Sequence, residues 1–311
     1  MIETVLGPVR PADLGVTHSH EHLVAHATAE IAAREEDLLL NEPARILPDL
    51  EAFRQAGGGA IVEMTTPDYG RDAAALRELS RRSCVHIIAA SGYNKAIYCR
   101  PFVEGRTIAE IAAWMVTEVT NGIAGTSMKA GVIKFATSLD QIDPAEEKVL
   151  RAAARAHRQT GVPLISHTEA GTMAVAQVEI LAEEGVEADR LIICHMDRNA
   201  DPAVHLDLAR RGAYLSYDQI PKVKYNTEER SIRLITRLAC AGLHSRVLVG
   251  GDFARRSLFA GWGGGPGLIY LTTTYAARLR AALDAAGLDG AAVVQEILVQ
   301  NPARALSRRA V

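Results

Sequence analysis

Residues 129–161 read KAGVIKFATSLDQIDPAEEKVLRAAARAHRQTG and join two kinds of hydrophobic pattern in one segment. Residues 129–137 form a short apolar run, which is typical of a buried strand. After a polar turn, residues 143–161 are amphipathic and end at Gly161, a residue type that helix C-termini favour. The segment therefore predicts a strand followed by a helix.

The same strand-then-helix unit occurs eight times along the chain. The predicted strands lie within residues 15–23, 59–65, 85–93, 129–137, 162–170, 190–197, 213–220 and 246–253. Repeated units of this kind indicate a parallel sheet, and eight of them within about 250 residues are what a (β/α)8 barrel requires. The alternative is a doubly wound sheet, but the first strand lacks the GxGxxG turn with which such a fold binds a dinucleotide. We predict an α/β fold, a TIM barrel.

Composition narrows the class of protein. Of 311 residues, 48% are apolar and 23% are charged, which is typical of a soluble enzyme, and no linker divides the chain, so we expect one domain over residues 1–311. The net charge of −3, with both signs interspersed, favours neither a nucleic acid nor a membrane as partner. Four scattered cysteines without a CxxC motif, and no signal-like or membrane-spanning run, predict a cytoplasmic protein.

Residues with metal-binding side chains lie at the ends of several predicted strands. The first strand carries histidines at alternate positions in VTHSHEHL, residues 16–23. The candidates from all strand ends are His18, His20, His22, Lys134, His167, His195 and Asp252. Residues two apart on a strand share a face, so His20 and His22 can both point into the barrel opening. Imidazole and carboxylate donors suit Zn²⁺, Mn²⁺ or Co²⁺, and their shared strand end predicts a metal site.

Lys134 lies between Ile133 and Phe135, where a charged amine is costly to bury. In one interpretation the side chain extends toward solvent, or pairs with Glu63 or Asp252. In the other, a neutral amine in a dry site takes up CO2 and becomes a carbamate, an anion that can bridge two metal ions. The residue pattern alone leaves both interpretations open.

Six motifs, in order along the chain, resemble those of the phosphotriesterase family of the amidohydrolase superfamily. They are THSHEHL, GVIKFATS, GVPLISHTEAG, ICHMDRN, LVGGDF and NPARAL, and the similarity extends over residues 7–306. The resemblance implies a binuclear metal centre, with one ion on His20, His22 and Asp252 and the other on His167 and His195. Lys134, as a carbamate formed from CO2, would bridge the two ions together with a hydroxide.

In that family the metal-binding histidine pair directly precedes an apolar residue, which is Leu23 here, so His18 is an additional histidine. We expect His18 on the same inward face but about 7 Å lower, beneath the metals, because each strand residue rises about 3.3 Å.

The implied mechanism is hydrolytic. Two cations lower the pKa of a bridging water and polarise a bound carbonyl or phosphoryl oxygen, so that the metal-bridging hydroxide attacks. Asp252 takes up the proton and passes it to the leaving alcohol. We expect Zn²⁺, with Mn²⁺, Co²⁺ and Fe²⁺ as alternatives. Asp197 either orients a metal ligand by a hydrogen bond without binding the metal itself, or begins the next turn with Asn199 and Asp201.

The segment after the seventh strand bears on the substrate. In the organophosphate-cleaving members of the family a histidine follows the strand-seven aspartate, whereas Gln219 follows Asp218 here. Glutamine cannot shuttle a proton, which argues against a specialised phosphotriesterase.

Four cations follow strands seven and eight: Lys222, Lys224, Arg255 and Arg256. They either bind a carboxylate or phosphate of the substrate or form a solvated rim. Their pattern resembles the branch of the family that hydrolyses lactones, including phosphorylated sugar lactones. Tyr93, in GYNK after strand three, either contacts the leaving oxygen or packs at the barrel opening.

The expected function is therefore that of a metal-dependent lactonase acting on a small, anionic sugar or phosphorylated sugar lactone. The alternative in the same class is a phosphotriesterase or aryl esterase that cleaves organophosphate esters. A catalytically silent binding protein is disfavoured, because every ligand position carries a competent residue. The expected partner is a small-molecule substrate. Dimers are frequent in the family that the chain resembles, so a homodimer is one possible oligomeric state.

Overall fold

The computed structural model describes residues 1–26, 33 and 35–310. A short antiparallel hairpin, β1 (Ile2–Thr4) and β2 (Gly7–Val9), precedes a sheet of eight strands. These are β3 (Val16–Glu21), β4 (Gly58–Glu63), β5 (His86–Gly92), β6 (Val132–Thr137), β7 (Leu164–Thr168), β8 (Leu191–Ile193), β9 (Tyr214–Tyr217) and β10 (Val247–Val249). Each of the first seven, β3 to β9, pairs in parallel with the strand that follows it in sequence.

The sheet closes nearly into a barrel where β10 meets β3. The backbone N–H of Asp252 donates to the His20 carbonyl at 2.9 Å. Gly250 packs against the same strand, since a Cβ there would lie 2.9 Å from the His20 nitrogen. A side chain at position 250 would therefore hold the two strands apart. The predicted (β/α)8 barrel is confirmed.

Helices surround the sheet. They are α1 (Pro43–Gln55), α2 (Ala73–Ser83), α3 (Ala96–Val103), α4 (Ile108–Thr120), α5 (Pro144–Thr160), α6 (Ala174–Glu183), α7 (Pro202–Arg210), α8 (Glu228–Cys240), α9 (Ala276–Ala285), α10 (Gly290–Gln295) and α11 (Asn301–Ala305). Over the residues that the structure describes, none of these helices combines the length and the apolar character needed to cross a membrane.

Helix α5 begins and ends at the residues that the sequence signals indicate. The Asp143 carboxylate accepts from the N–H of Ala145 at 2.8 Å, and Glu146 accepts from the Asp143 N–H at 3.0 Å. Pro144 fills the first turn, where no N–H is needed. Gly161 ends the helix with φ +69°, the left-handed conformation that glycine adopts without strain.

Successive strand residues face two different layers. Ile133 packs against the helices, whereas Val132 and Ile165 fill the barrel interior. Two residues further along β6 and β7, at the carboxyl ends of the strands, the inward positions are Lys134 and His167. The strand alternation thus places polar groups at one end of the barrel, above its apolar core.

The prediction that His18 lies on the inward face is wrong. Its ring packs on Phe53 of α1, in the outer layer, with ring centroids 4.6 Å apart. The pairing of β3 with β4 shifts register between His18 and Glu21, and such an irregularity breaks the two-residue alternation. His18 and His20 therefore do not share a face.

Candidate metal centre

The carboxyl ends of the barrel strands surround a polar cavity of about 240 Å³. All of the predicted metal ligands line it, namely His20, His22, Lys134, His167, His195 and Asp252. Active sites of (β/α)8 barrels lie at this end of the strands. The fold therefore brings the predicted ligands together in one place.

His20, His22 and Asp252 form the first group of donors. One ligand atom from each lies within 4.8 Å of the other two, and Nε2 of each histidine is 3.4 Å from Asp252 Oδ1. The Asp252 backbone has φ +44°, a conformation that is uncommon and costly outside glycine. Strained backbone of this kind often marks a functional residue.

His167 and His195 form the second group. His195 Nε2 and His167 Nδ1 are 2.8 Å apart. Burial and the neighbouring His195 lower the pKa of His167 to about 3, so its ring is neutral at pH 7 and can offer a lone pair to a cation. Burial opposes a charge on His195 as well, but the Asp218 carboxylate raises the pKa of this ring above its ordinary value.

Lys134 lies beside both groups with only 1% of its surface exposed. Its Nζ donates to the Met64 carbonyl at 2.8 Å. Within the described residues the amine forms no ion pair, so the suggested pairing with Glu63 or Asp252 is not seen. Burial lowers the pKa of the amine, which favours a neutral nitrogen with a free lone pair.

Asp218 contacts one histidine from each donor group. Its Oδ1 accepts from His195 Nδ1 at 2.7 Å, and its Oδ2 lies 3.2 Å from His20 Nδ1. Although burial opposes ionisation, His195 and His20 hold the pKa of Asp218 well below its usual range. Asp218 was not among the site residues predicted from the sequence, although it directly follows β9, and position at a strand end is the signal that indicated the other ligands.

The remaining two histidines also have polar partners. His22 Nδ1 meets the Thr65 hydroxyl at 2.8 Å, and His167 Nε2 lies 3.4 Å from Glu169 Oε2. The contact with His167 lowers the pKa of Glu169 well below its usual range, against the opposing effect of burial. Glu169 lines the cavity and was missed, even though it follows His167 by two residues.

Asp197 supports a loop rather than a histidine. Its Oδ2 accepts from the Gln219 N–H at 2.8 Å, while burial and the nearby Asp218 raise its pKa to about 7. Asn199 Oδ1 accepts from the Asp201 N–H at 2.9 Å, which forms the turn that was the alternative interpretation of this segment.

Two of the predicted substrate-binding cations line the cavity, Lys222 and Arg255. Lys222 is 8% exposed, and its Nζ donates to Asp252 Oδ2 at 2.6 Å. Arg255 forms an ion pair with Glu35, a residue of the loop after β3. Neither cation therefore belongs to a merely solvated rim.

The structure does not bring the other predicted substrate-binding residues to the cavity. Lys224 is exposed, and its amine lies over the ring of Tyr225. The guanidinium carbon of Arg256 lies 4.4 Å from the ring centroid of Trp262. Tyr93 stacks on Trp114 with ring centroids 4.8 Å apart. Each of these three side chains thus packs on an aromatic ring, and none of them is part of the cavity lining.

The two donor groups fit two divalent cations. His195 Nε2 and His167 Nδ1 lie at hydrogen-bond distance, 2.8 Å, and both residues line the cavity, so the two nitrogens can serve as donors to one shared cation. The other group adds a carboxylate to two imidazoles, a donor set that Zn²⁺ and similar ions accept. Buried, hydrogen-bonded histidines with fixed orientation are typical of such ligands.

Comparison with known proteins assigns the chain to a family. Its sequence matches the phosphotriesterase family over residues 1–306. The chain belongs to the phosphotriesterase family. It is 35% identical over 267 residues to the phosphotriesterase homology protein of Escherichia coli strain K12, covering 86% of this chain and 90% of that protein. It is 31% identical over 341 aligned residues to N-acetyltaurine hydrolase of Tetraodon nigroviridis, covering 97% and 96% of the two chains.

A solved structure agrees with this assignment. The crystal structure of a lactonase from Listeria monocytogenes matches the fold with a TM-score of 0.96 at 37% identity, and the match covers 99% of each chain. This phosphotriesterase-family protein is a hydrolase, and its relatives act on small molecules. The family uses a binuclear metal centre, with which the two donor groups of this chain agree.

Proposed function

We propose that this hydrolase opens the ring of a small anionic lactone, a sugar or phosphorylated sugar lactone, with two divalent metal ions. The observation that carries the proposal is the convergence of two donor groups on buried Lys134 in a cavity lined by cations. Similarity to a lactonase along the whole chain supports a cyclic ester as substrate.

The proposed ligands are His20, His22 and Asp252 for one ion, and His167 and His195 for the other. Burial favours the neutral Lys134 amine, which would form a nitrogen–carbon bond to CO2 as one carbon–oxygen π bond opens, and would release one proton to solvent water. The resulting carbamate would be an anion suited to hold cations. When bound, the ions supply hydroxide at neutral pH and polarise the scissile carbonyl. We propose Zn²⁺, and the same donors accept Mn²⁺, Co²⁺ or Fe²⁺.

Asp252 presents its two oxygens to different partners. Oδ1 faces the histidines, while Oδ2 accepts from Lys222 Nζ at 2.6 Å and from Gln219 Nε2 at 2.9 Å. Burial opposes ionisation, but Lys222 and His20 hold the pKa of Asp252 well below its usual range. In ring opening the hydroxide oxygen would bond to the acyl carbon and the bond from that carbon to the ring oxygen would break. Asp252 would take the proton of the attacking hydroxide and pass it to the alkoxide that leaves.

The charge of the cavity supports an anionic substrate. Lys95 and Arg198 line it together with Lys222 and Arg255. Glu169 pairs with both Lys95 and Arg198, so this cluster of three carries one excess positive charge. A substrate carboxylate or phosphate would complement it.

The test is a pH-indicator hydrolysis screen with metal-loaded protein. It compares phosphorylated sugar lactones, neutral sugar lactones and alkyl lactones, and kcat/KM is expected to be highest for an anionic lactone. Arg198→Met should lower kcat/KM for that lactone more than for a neutral one, because it removes a positive charge from the cavity lining. A protein that carries both metal ions and opens no lactone contradicts the proposal.

A second candidate is hydrolysis of the amide bond of an N-acyl amino sulfonate. Sequence similarity to the N-acetyltaurine hydrolase of Tetraodon nigroviridis supports this candidate, and the anionic sulfonate group could bind to the same cations. The screen therefore includes N-acetyltaurine, and faster turnover of this compound than of every lactone would replace the first candidate. An aryl phosphotriester is the third arm, for which slow turnover is expected because Gln219 cannot shuttle a proton.

The metal assignment has a separate test. Lys134→Ala and His20→Ala should each lose metal and activity together, because each removes a proposed ligand or bridge. Metal analysis of the purified wild type should give about two ions per chain. Lys148→Ala is the control, since Lys148 donates to the Arg106 carbonyl in the helical layer and should leave the metal content unchanged. About two ions in Lys134→Ala or His20→Ala would contradict the assignment.

A further inference from the structure

Glu21, at the end of β3, is fully buried and lies next to the loop that carries Asp252. Its Oε1 accepts from the Gly251 N–H at 2.8 Å, and its Oε2 accepts from the Phe253 N–H at 2.8 Å. One carboxylate thus receives the amide on each side of Asp252. The side chain was not among the residues that the sequence indicated.

The amide of Asp252 itself is also fixed by β3. It donates to the His20 carbonyl at 2.9 Å. Three consecutive N–H groups, those of residues 251–253, therefore bind to two adjacent residues of β3. Because Asp252 has φ +44°, a conformation that is strained for a residue with a side chain, these bonds stabilise the loop in it.

His18 orients the carboxylate. Its Nδ1 donates to Glu21 Oε1 at 2.9 Å, and its ring packs on Phe53. Glu21 therefore receives three donors, two from the loop and one from its own strand. Through this contact His18 supports Glu21, although His18 is not itself one of the candidate metal ligands.

We propose that Glu21 is a positioning residue for Asp252, and that His18 acts through Glu21. The inference rests on the proposed function, because it takes Asp252 as a metal ligand and proton carrier. Glu21 sets the direction in which the Asp252 carboxylate points, and it does so from the outer side of the barrel wall. Loss of Glu21 leaves the ligands present but misdirects one of them, which lowers metal affinity and kcat more than it changes KM.

The test uses full-length Glu21→Gln. In this variant an NH2 group, which cannot accept a hydrogen bond, replaces one of the two carboxylate oxygens. Hydrogen–deuterium exchange of the Gly251 and Phe253 amides is measured with and without Zn²⁺. The Zn²⁺ dissociation constant and the steady-state constants are measured well below the melting temperature. Asp49→Asn is the matched control, because the buried Asp49 accepts from the amides of Ala260 and Gly261 in the same way, outside the cavity.

In Glu21→Gln we expect exchange at positions 251 and 253 to quicken, and Zn²⁺ affinity and kcat to fall about 10- to 100-fold, with KM changed less than about threefold. Asp49→Asn should lower the melting temperature alone. His18→Asn, which keeps a donor near the Nδ1 position, should retain more Zn²⁺ affinity than His18→Ala. A Glu21→Gln protein that melts earlier, yet keeps its Zn²⁺ affinity and slow exchange at both amides, would overturn the proposal.

The same measurements separate this inference from the proposed function. If the wild type binds no metal, the proposed function fails, while amide exchange in metal-free protein still decides whether Glu21 holds the loop. If metal binds but no lactone is opened, the Zn²⁺ dissociation constants of Glu21→Gln and wild type still decide the role of Glu21.

Discussion

At the scale of single residues, the partner at the second ring nitrogen decides how well a histidine can serve as a ligand. Asp218 holds two such rings, His20 at 3.2 Å and His195 at 2.7 Å. These histidines belong to different donor groups, so a single carboxylate orients a ring in each. Its negative charge also increases the basicity of both imidazoles, which strengthens their bonds to a cation.

Asp218→Asn should therefore weaken both proposed metal sites. Asparagine has one acceptor oxygen and one donor group, so it cannot accept from both rings and carries no charge. We expect Zn²⁺ affinity to fall about 10- to 100-fold, as changes to the partner of a ligand histidine usually cause. Competition with a coloured chelator measures the affinity of each ion.

Asp207→Asn on α7 is the control for Asp218→Asn. Asp207 pairs with Arg211 at 2.8 Å on the surface, so its loss should leave Zn²⁺ binding unchanged. If Asp218→Asn binds two ions as tightly as this control does, Asp218 does not orient the ligands.

At the scale of elements, the end of β5 determines how closely two strands approach beside the site. Gly92 has φ +96°, and a Cβ there would lie 1.9 Å from the Lys134 carbonyl oxygen. The next residue, Tyr93, donates its N–H to that same carbonyl at 3.2 Å. The backbone of β5 thus crosses directly over Lys134, and only glycine fits there.

Gly92→Ala should destabilise the protein by more than about 2 kcal/mol, because strained backbone and a backbone clash add up. Gly105→Ala is the matched control, since Gly105 has φ +72° and no atom within 4 Å of an added Cβ. It should cost about 1–2 kcal/mol, the left-handed strain alone. Urea denaturation of both variants measures the difference, and equal losses would show that the approach over Lys134 is not tight.

The elements also show what hydrophobic periodicity predicts and what it does not. Seven of the eight barrel strands lie within the ranges that the pattern indicated, and β4 begins one residue before its range. The pattern is informative because a strand buried on both faces needs a continuous apolar run. Helix α3 was not predicted, since it is short and contains Pro101, which reads as an interruption. The prediction for His18 was wrong because the register of β3 shifts where it packs against β4. The alternation of residue types along one strand cannot show such a shift.

At the scale of the whole molecule, the candidate ligands were easier to predict than the groups around them. Each ligand follows a strand end, and the barrel gathers all strand ends in one place. The surrounding cations depend on loops that meet only in the fold. Arg255 pairs with Glu35, more than two hundred residues away along the chain. Arg198 lines the cavity and forms an ion pair there with Glu169. No local pattern distinguishes these arginines from solvated ones.

Buried histidines outside the candidate site give the whole molecule a dependence on pH. His157 in α5 has Nδ1 2.7 Å from the Val162 carbonyl, and burial lowers its pKa below the ordinary value of 6.5. Between the folded and unfolded pKa values the unfolded chain binds more protons, so the free energy of unfolding falls as the pH drops below 6.5. The stabilisation is fully present above that pH.

His157→Asn should remove this part of the pH dependence. The asparagine Nδ2 can donate to the same carbonyl, and it does not titrate, so one proton-linked contribution disappears while the contact remains. Urea unfolding at about pH 7.5 and about pH 5.5 should show a loss on acidification that is smaller in the variant by up to about 1.4 kcal/mol. Both proteins keep the candidate metal ligands, so acid release of metal affects them alike and cancels in the comparison. Equal losses in the two proteins would mean that His157 titrates with the same pKa folded and unfolded, and that the acid sensitivity of the barrel arises elsewhere.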